Sequence, residues 1–335
     1  MITNEDLNKS LKAMGKDSFG GEARIVSLDD TIKFNCKRCG NCCAGRSDII
    51  LNPFDVYQIA KGLNITPDEV IKEYCLVYCG SNSCIPIVVL KEDERGMCSF
   101  LKFFPTEGKF GCSINTFKPG ACIMHPIGVV RSFEKGKANE TEKQFIEVPS
   151  CDIHGTDVEI KVRDFIKPYL DNEECHEAGS LLHFEVNKYV NVRKLVNGFL
   201  REEDEDFIKN NFSEEEINIA KIIPLSLKEL VYKTYMTTML DEMYMFDMNK
   251  GFLEQLDKIK DNIKNNSLKM LAVVNSLGFD FSSEELSEED KEKLISVKND
   301  IEKEYNKFIS ECNDDESEIK LKIKELEENN NNDRY

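Results

Sequence analysis

The sequence predicts an α+β chain: a small, loop-rich, cysteine-dense domain of short strands and helices, followed by a mostly α-helical acidic domain. Three observations carry this. Eleven of the thirteen cysteines lie between positions 36 and 151. Residues 1–154 hold 19 basic and 20 acidic side chains, whereas residues 155–335 hold 25 and 42, so nearly all of the net charge of −18 sits in the second part. The apolar pattern also changes beyond Gly155, from short β-branched runs to a recurrence every three to four positions. The predicted organisation is a polar leader over 1–30, a cysteine-cluster domain over 31–160, an acidic helical domain over 161–326 and a disordered polar tail, EENNNNDRY, over 327–335.

Taken in order, SDIILN at 47–52 is a short β-like run. Asn52-Pro53 is a helix start, with Asn as N-cap and Pro at the first helical position, and Gly62 is expected to help end that helix. Thr66-Pro67-Asp68-Glu69 is a capping box that opens a second helix through about Tyr74. Ile85 to Leu90 is apolar and β-branched, and KEDERG turns it toward Cys98. Short strands follow at 108–114, 126–133 and 144–150, punctuated by Gly and Pro. Further on, 157–170, 177–200, 225–246, 250–265 and 288–309 all read as amphipathic helices. The Met and Tyr stripe at 232–248 reads as helix core.

The N-terminus has neither a basic start with an apolar core nor a small-residue cleavage site, and no apolar run reaches the roughly 18–20 residues that cross a bilayer. The chain is therefore expected to be soluble and cytoplasmic, with no membrane partner. In a reducing compartment, dense cysteines point to metal or catalysis before disulfides. Nucleic acid is excluded as a partner, because no basic patch is present to release counterions from a phosphate backbone. The acidic helical half is a candidate surface for a protein partner. No nucleophile elbow, P-loop or zinc-protease pattern assigns a catalytic role.

Cys36-x2-Cys39-x2-Cys42 places three thiols in seven residues, a spacing that can wrap an iron–sulfur cluster, and Cys-x2-Cys is equally a zinc half-site. Gly40 permits a tight turn between them. Cys43 follows directly, and because adjacent side chains usually diverge, it suggests a second centre or a shared ligand. Lys37, Arg38 and Arg46 flank the run, and read either as cations that favour thiolate over thiol or as an ordinary solvated basic loop.

Beyond this run, the chain resembles the CxxCxxCC zinc- or iron-chelating family, the YkgJ-type cysteine-cluster proteins. The resemblance spans roughly residues 33–160. It is carried by FNCKRCGNCC, by the strand and two helices after it, by Cys98-Ser99-Phe100-Leu101, by Cys112-Ser113-Ile114, by Lys118-Pro119-Gly120-Ala121-Cys122 with His125-Pro126, and by Cys151-x3-Gly155. Lys118 stands where the family has Arg, and Asp152 where it has Pro. The resemblance implies eight metal-binding residues: Cys36, Cys39, Cys42, Cys43, Cys98, Cys112, Cys122 and Cys151. Eight thiolates fit two four-cysteine sites, with an iron–sulfur cluster preferred as cofactor and zinc as the alternative. Three functions are open: a redox or electron-transfer protein, a structural zinc module with a helical partner-binding domain, or, implied by the resemblance alone, a protein lysine N-methylase like the flagellin N-methylases. Cys75, Cys79 and Cys84 are extra to the motif, His125 and His154 are candidate substitutes for a thiolate, and Cys175, Cys312, His176 and His183 read as ordinary helix residues.

Overall fold

The structure, a computed structural model, describes residues 3–13, 22–34, 36–45, 48–80, 85–133, 141–148, 158–185, 214, 225–276 and 287–311. Helices and small antiparallel sheets make it α+β. The chain divides into two compact units, one comprising Met1–Cys79, Pro86–Phe184 and Met243–Lys258, the other Gly80–Ile85, Glu185–Glu242 and Ile259–Tyr335.

The first unit opens with α1 (Asn4–Ala13), β1 (Arg24–Val26) and β2 (Thr31–Lys33). After the cysteine run come β3 (Ile50–Leu51), α2 (Pro53–Leu63), α3 (Pro67–Tyr74), β4 (Cys75–Cys79) and β5 (Pro86–Leu90). The predicted caps are present: Asn52 accepts from the Asp55 amide at 3.0 Å while Asp55 accepts from the Asn52 amide at 3.0 Å, and Thr66 and Glu69 make the same reciprocal pair. Gly62 does not end α2. The helix runs through it to Leu63 and stops at Asn64, which adopts φ 56. Gly62 has a different reason to be small: a Cβ there would lie 2.4 Å from Cγ of Phe117.

Next come the hairpin β6 (Leu101–Phe104) and β7 (Lys109–Cys112), the short helix α4 (Gly120–Met124), and the pair β8 (Ile127–Phe133) and β9 (Thr141–Glu147). β9 pairs with both β1 and β8, and β5 lies between β3 and β4, all antiparallel. Residues 157–170 depart from the helical expectation. Val158, Ile160 and Val162 alternate with a period of two, and Glu159–Lys161 forms β10 against β2, with Ile160 opposite Ile32. Helix begins only at α5 (Val162–Phe165), and α6 (Lys167–Leu170) is separate from it, with Pro168 in its first turn. α7 (Glu173–Glu185) follows, and residues 186–200 of that predicted helix lie outside the described residues.

One buried cluster joins Val26, Ile32, Phe34, Met124, Ile127, Val162, Ile166 and Tyr169. Phe34 lies two residues before Cys36 and Met124 two residues after Cys122, so burying these two side chains anchors distant cysteine segments in the same core.

The second unit takes in most of α8 (Leu225–Tyr244), most of α9 (Leu256–Ser276) and α10 (Glu288–Glu311). Within it Tyr235 and Met239 of α8, Ile263, Leu268 and Leu271 of α9 and Leu294 of α10 are buried, and Lys264 of α9 meets Asp290 of α10 at 2.6 Å. The buried Met239 and Met243 agree with the packing role predicted for the Met stripe. Among the described residues, no helix is long and apolar enough to cross a membrane.

Candidate metal centre

Within the first unit, seven of the eight sequence-predicted ligands line one cavity of about 810 Å³: Cys36, Cys39, Cys42, Cys43, Cys98, Cys112 and Cys122. Cys151, the eighth, lies outside the described residues, as do Cys84, Cys312, His154 and Arg46. Cys75 and Cys79 sit at the two ends of β4 and Cys175 on α7, and none of the three lines the cavity. His125 does.

Three pieces of local structure bring the thiols together. The run itself turns at Arg38 and Gly40, at φ 58 and φ 84, and continues as a 3-10 turn over Asn41–Cys43. Gly40 is buried, and a Cβ there would lie 3.2 Å from Cδ2 of Leu101, so left-handed backbone and close packing both require glycine. Its closing segment then pairs with the residues before β6: the Cys98 amide donates to the Cys43 carbonyl at 2.9 Å, and Ala44 bridges to Met97. The β6–β7 hairpin sets Leu101 opposite Cys112, which carries Cys112 back toward Cys98.

Arg38 clamps these parts. Its Nε donates to the Phe110 carbonyl at 2.8 Å, its guanidinium pairs with Glu107, and its Cζ lies 5.6 Å from the Phe104 ring centre. A flanking cation read from sequence as favouring thiolate is thus also a tie between run and hairpin.

The third segment, 118–122, hangs from α2. Gln58 Nε2 donates to the Lys118 carbonyl at 3.0 Å, and the Gly120 amide donates to Asp55 Oδ1 at 2.8 Å. Asp55 is 2 % exposed, and burial pushes its carboxyl up to about 6 against three hydrogen bonds that favour the charged form. Next to it is His176, 1 % exposed, with Nδ1 at 3.7 Å from Asp55 Oδ1 and its ring stacked on Tyr169. Burial lowers His176 to about 4, so the imidazole is neutral at pH 7. Sequence reasoning took Asn52 as a cap and His176 as an ordinary helix residue. Asn52-x-x-Asp55 was the available signal for Asp55, and nothing local marked His176.

Electrically, the cavity is crowded with thiols. The hydrogen bond to Cys42 raises Cys43 far above the ordinary thiol range, with burial and the nearby Cys122 and Cys98 adding to it. Adjacent side chains do not diverge here: the 3-10 turn directs both sulfurs into one cavity. Burial also raises Cys98 and Cys112, and raises Cys122 to about 12, and Cys98 opposes ionisation of Cys112 and Cys122 in turn. Against this, the Phe100 and Leu101 amides donate to the Cys98 sulfur and the Ile114 amide to that of Cys112, hydrogen bonds that favour thiolate. Lys118 also lines the cavity, and its charge favours thiolate at Cys112 and Cys122.

Soft thiolate donors with amides aimed at sulfur are chemically suited to zinc or iron–sulfur centres. Among the described residues, no three His, Cys, Asp or Glu side chains form a ready-made coordinating group. Ligand deprotonation and convergence are commonly coupled to metal binding itself. The chain matches no family model, no curated protein and no solved structure.

Proposed function

We propose that the chain is a metal-binding protein whose cysteine cavity holds an iron–sulfur cluster, used in electron transfer or in support of a reaction. The observation that carries this reading is the convergence of seven cysteines from four separate segments on one cavity. In this account the seven cysteines of the cavity supply the donors, Cys36 exposed and the other six half-buried, and Cys151 is the eighth candidate. A bound cluster would supply one-electron chemistry. The protein's own groups would then hold the thiolates by amide hydrogen bonds at Cys98 and Cys112, keep the run folded through Arg38, and exclude water with Phe34, Phe100 and Ile114.

The second reading is structural zinc. Cys36-x2-Cys39 is equally a zinc half-site, and a zinc ion closed by four thiolates has no open position for chemistry. A methylase role rests on family resemblance alone.

Anaerobic purification followed by a visible spectrum and iron and sulfide analysis tests the proposal. Expected is broad absorbance near about 400 nm that dithionite bleaches, matched by iron and labile sulfide. A colourless protein holding stoichiometric zinc refutes the cluster and supports the second reading.

A further inference from the structure

The cavity wall carries one nitrogen donor among its sulfurs. His125 is the C-cap residue of α4, its amide donating to the Ala121 carbonyl at 3.2 Å, and it lies three positions after Cys122. Residues three apart on a helix share a face, so Cys122-x2-His125 has the spacing of a thiol–imidazole half-site. His125 and Cys122 both line the cavity, and the His125 Nε2 is shielded from solvent. The ring is also held in place: Phe34, buried in the core two residues before Cys36, packs against it edge-on at 6.1 Å between centroids and 86°.

Charge gives the second argument. Eight thiolates around two divalent ions leave roughly four excess negative charges, and concentrating charge away from water is costly. The cations lining the cavity are Arg38, Lys91 and Lys118, and Arg38 is already engaged with Glu107, while Asp171 adds a negative charge to the same wall. A neutral imidazole in place of one thiolate removes a negative charge without losing a donor.

We infer that His125 is a metal ligand, so that the centre is a mixed Cys/His site with Cys122 and His125 entering from the same helical turn. The inference rests on the metal-binding reading above, and applies equally to iron and zinc.

The test is X-ray absorption at the edge of the bound metal, on the full chain purified anaerobically as wild type, His125→Ala and His125→Cys. Wild type should show outer-shell imidazole scattering beside sulfur, and both variants should lose it. Metal content should fall about twofold or more in His125→Ala and recover in His125→Cys, where a thiolate replaces the imidazole. For an iron–sulfur centre, His125→Cys should also lower the reduction potential, since imidazole ligation raises it. An all-sulfur shell in wild type, or imidazole scattering that persists in His125→Cys, overturns the inference while leaving metal binding intact. A chain that takes up neither iron nor zinc overturns both. The wild-type spectrum decides the matter even if His125→Ala fails to fold.

Discussion

Asp55 is the residue through which α2 holds the Cys122 segment, and its burial makes a quantitative prediction. Its carboxyl rises from an ordinary 3.8 to about 6 in the folded protein because burial disfavours the charge. A carboxyl raised on folding contributes its stability fully below the unfolded value and loses it as pH rises through the folded one. The shift corresponds to about 2–3 kcal/mol lost by the wild type between pH 4 and 7. Asp55→Asn has no such titration. It keeps an oxygen for the Gly120 amide but turns an NH2 toward the Asn52 amide, a roughly constant cost of about 1 kcal/mol. His176, 3.7 Å from Asp55 and lowered to about 4, stays neutral in the fold over most of this range, so its contribution is nearly common to both proteins. Urea unfolding of both chains, at matched metal content and at half-unit pH steps, should therefore show the variant gaining about 2–3 kcal/mol on the wild type from pH 4 to 7. A difference that does not change with pH would refute the reasoning, because it would mean that Asp55 does not carry a buried charge.

Further outcomes follow from neighbouring groups. His176 falls from an ordinary 6.5 to about 4 through burial, so its stabilising contribution is present above 6.5 and lost as pH drops through 4. His176→Phe, which keeps the aromatic contacts to Phe54 and Tyr169, should remove up to about 3 kcal/mol of that acid loss in the same urea series. Gly120→Ala would place a Cβ 2.9 Å from His176 Nδ1 and 3.4 Å from the Tyr169 ring, both buried, and should destabilise by about 1–3 kcal/mol, read as a lower urea midpoint. Arg38→Lys should change stability by less than about 1 kcal/mol, since the Glu107 pair is partly exposed, yet should speed metal loss to a chelator by loosening the run from the hairpin.

Local signals were the legible part of this chain. Asn52-Pro53 and Thr66-Pro67 mark helix starts because caps and proline act on their immediate neighbours, and both starts lie where the residues place them. The Cys36–Cys43 run and the later cysteines were visible as candidate ligands for the same reason: a spacing is local information. Their convergence was expected only from the family resemblance, not from any spacing. It depends on the Ala44–Met97 bridge, the β6–β7 register and the Asp55–Gly120 hydrogen bond, each of which joins residues far apart in sequence. Residues 157–170 misled because Val158, Ile160 and Val162 fit a strand as well as part of a helix, and only the partner strand β2 decides between them. Cys42 and Cys43, expected to diverge, line one cavity because they share a 3-10 turn.

The central claim is that distant cysteines act together in metal binding. Cys98 tests it most directly, because it lies far in sequence from the run and yet raises Cys43, Cys112 and Cys122 alike. The decisive measurement is metal per chain by elemental analysis, on wild type and Cys98→Ser purified anaerobically side by side. The account predicts stoichiometric metal in wild type and a loss of about half or more in Cys98→Ser with the fold retained, since a serine oxygen is a poor substitute for a soft thiolate. Unchanged metal content in Cys98→Ser, or a wild-type chain that binds none, would contradict it.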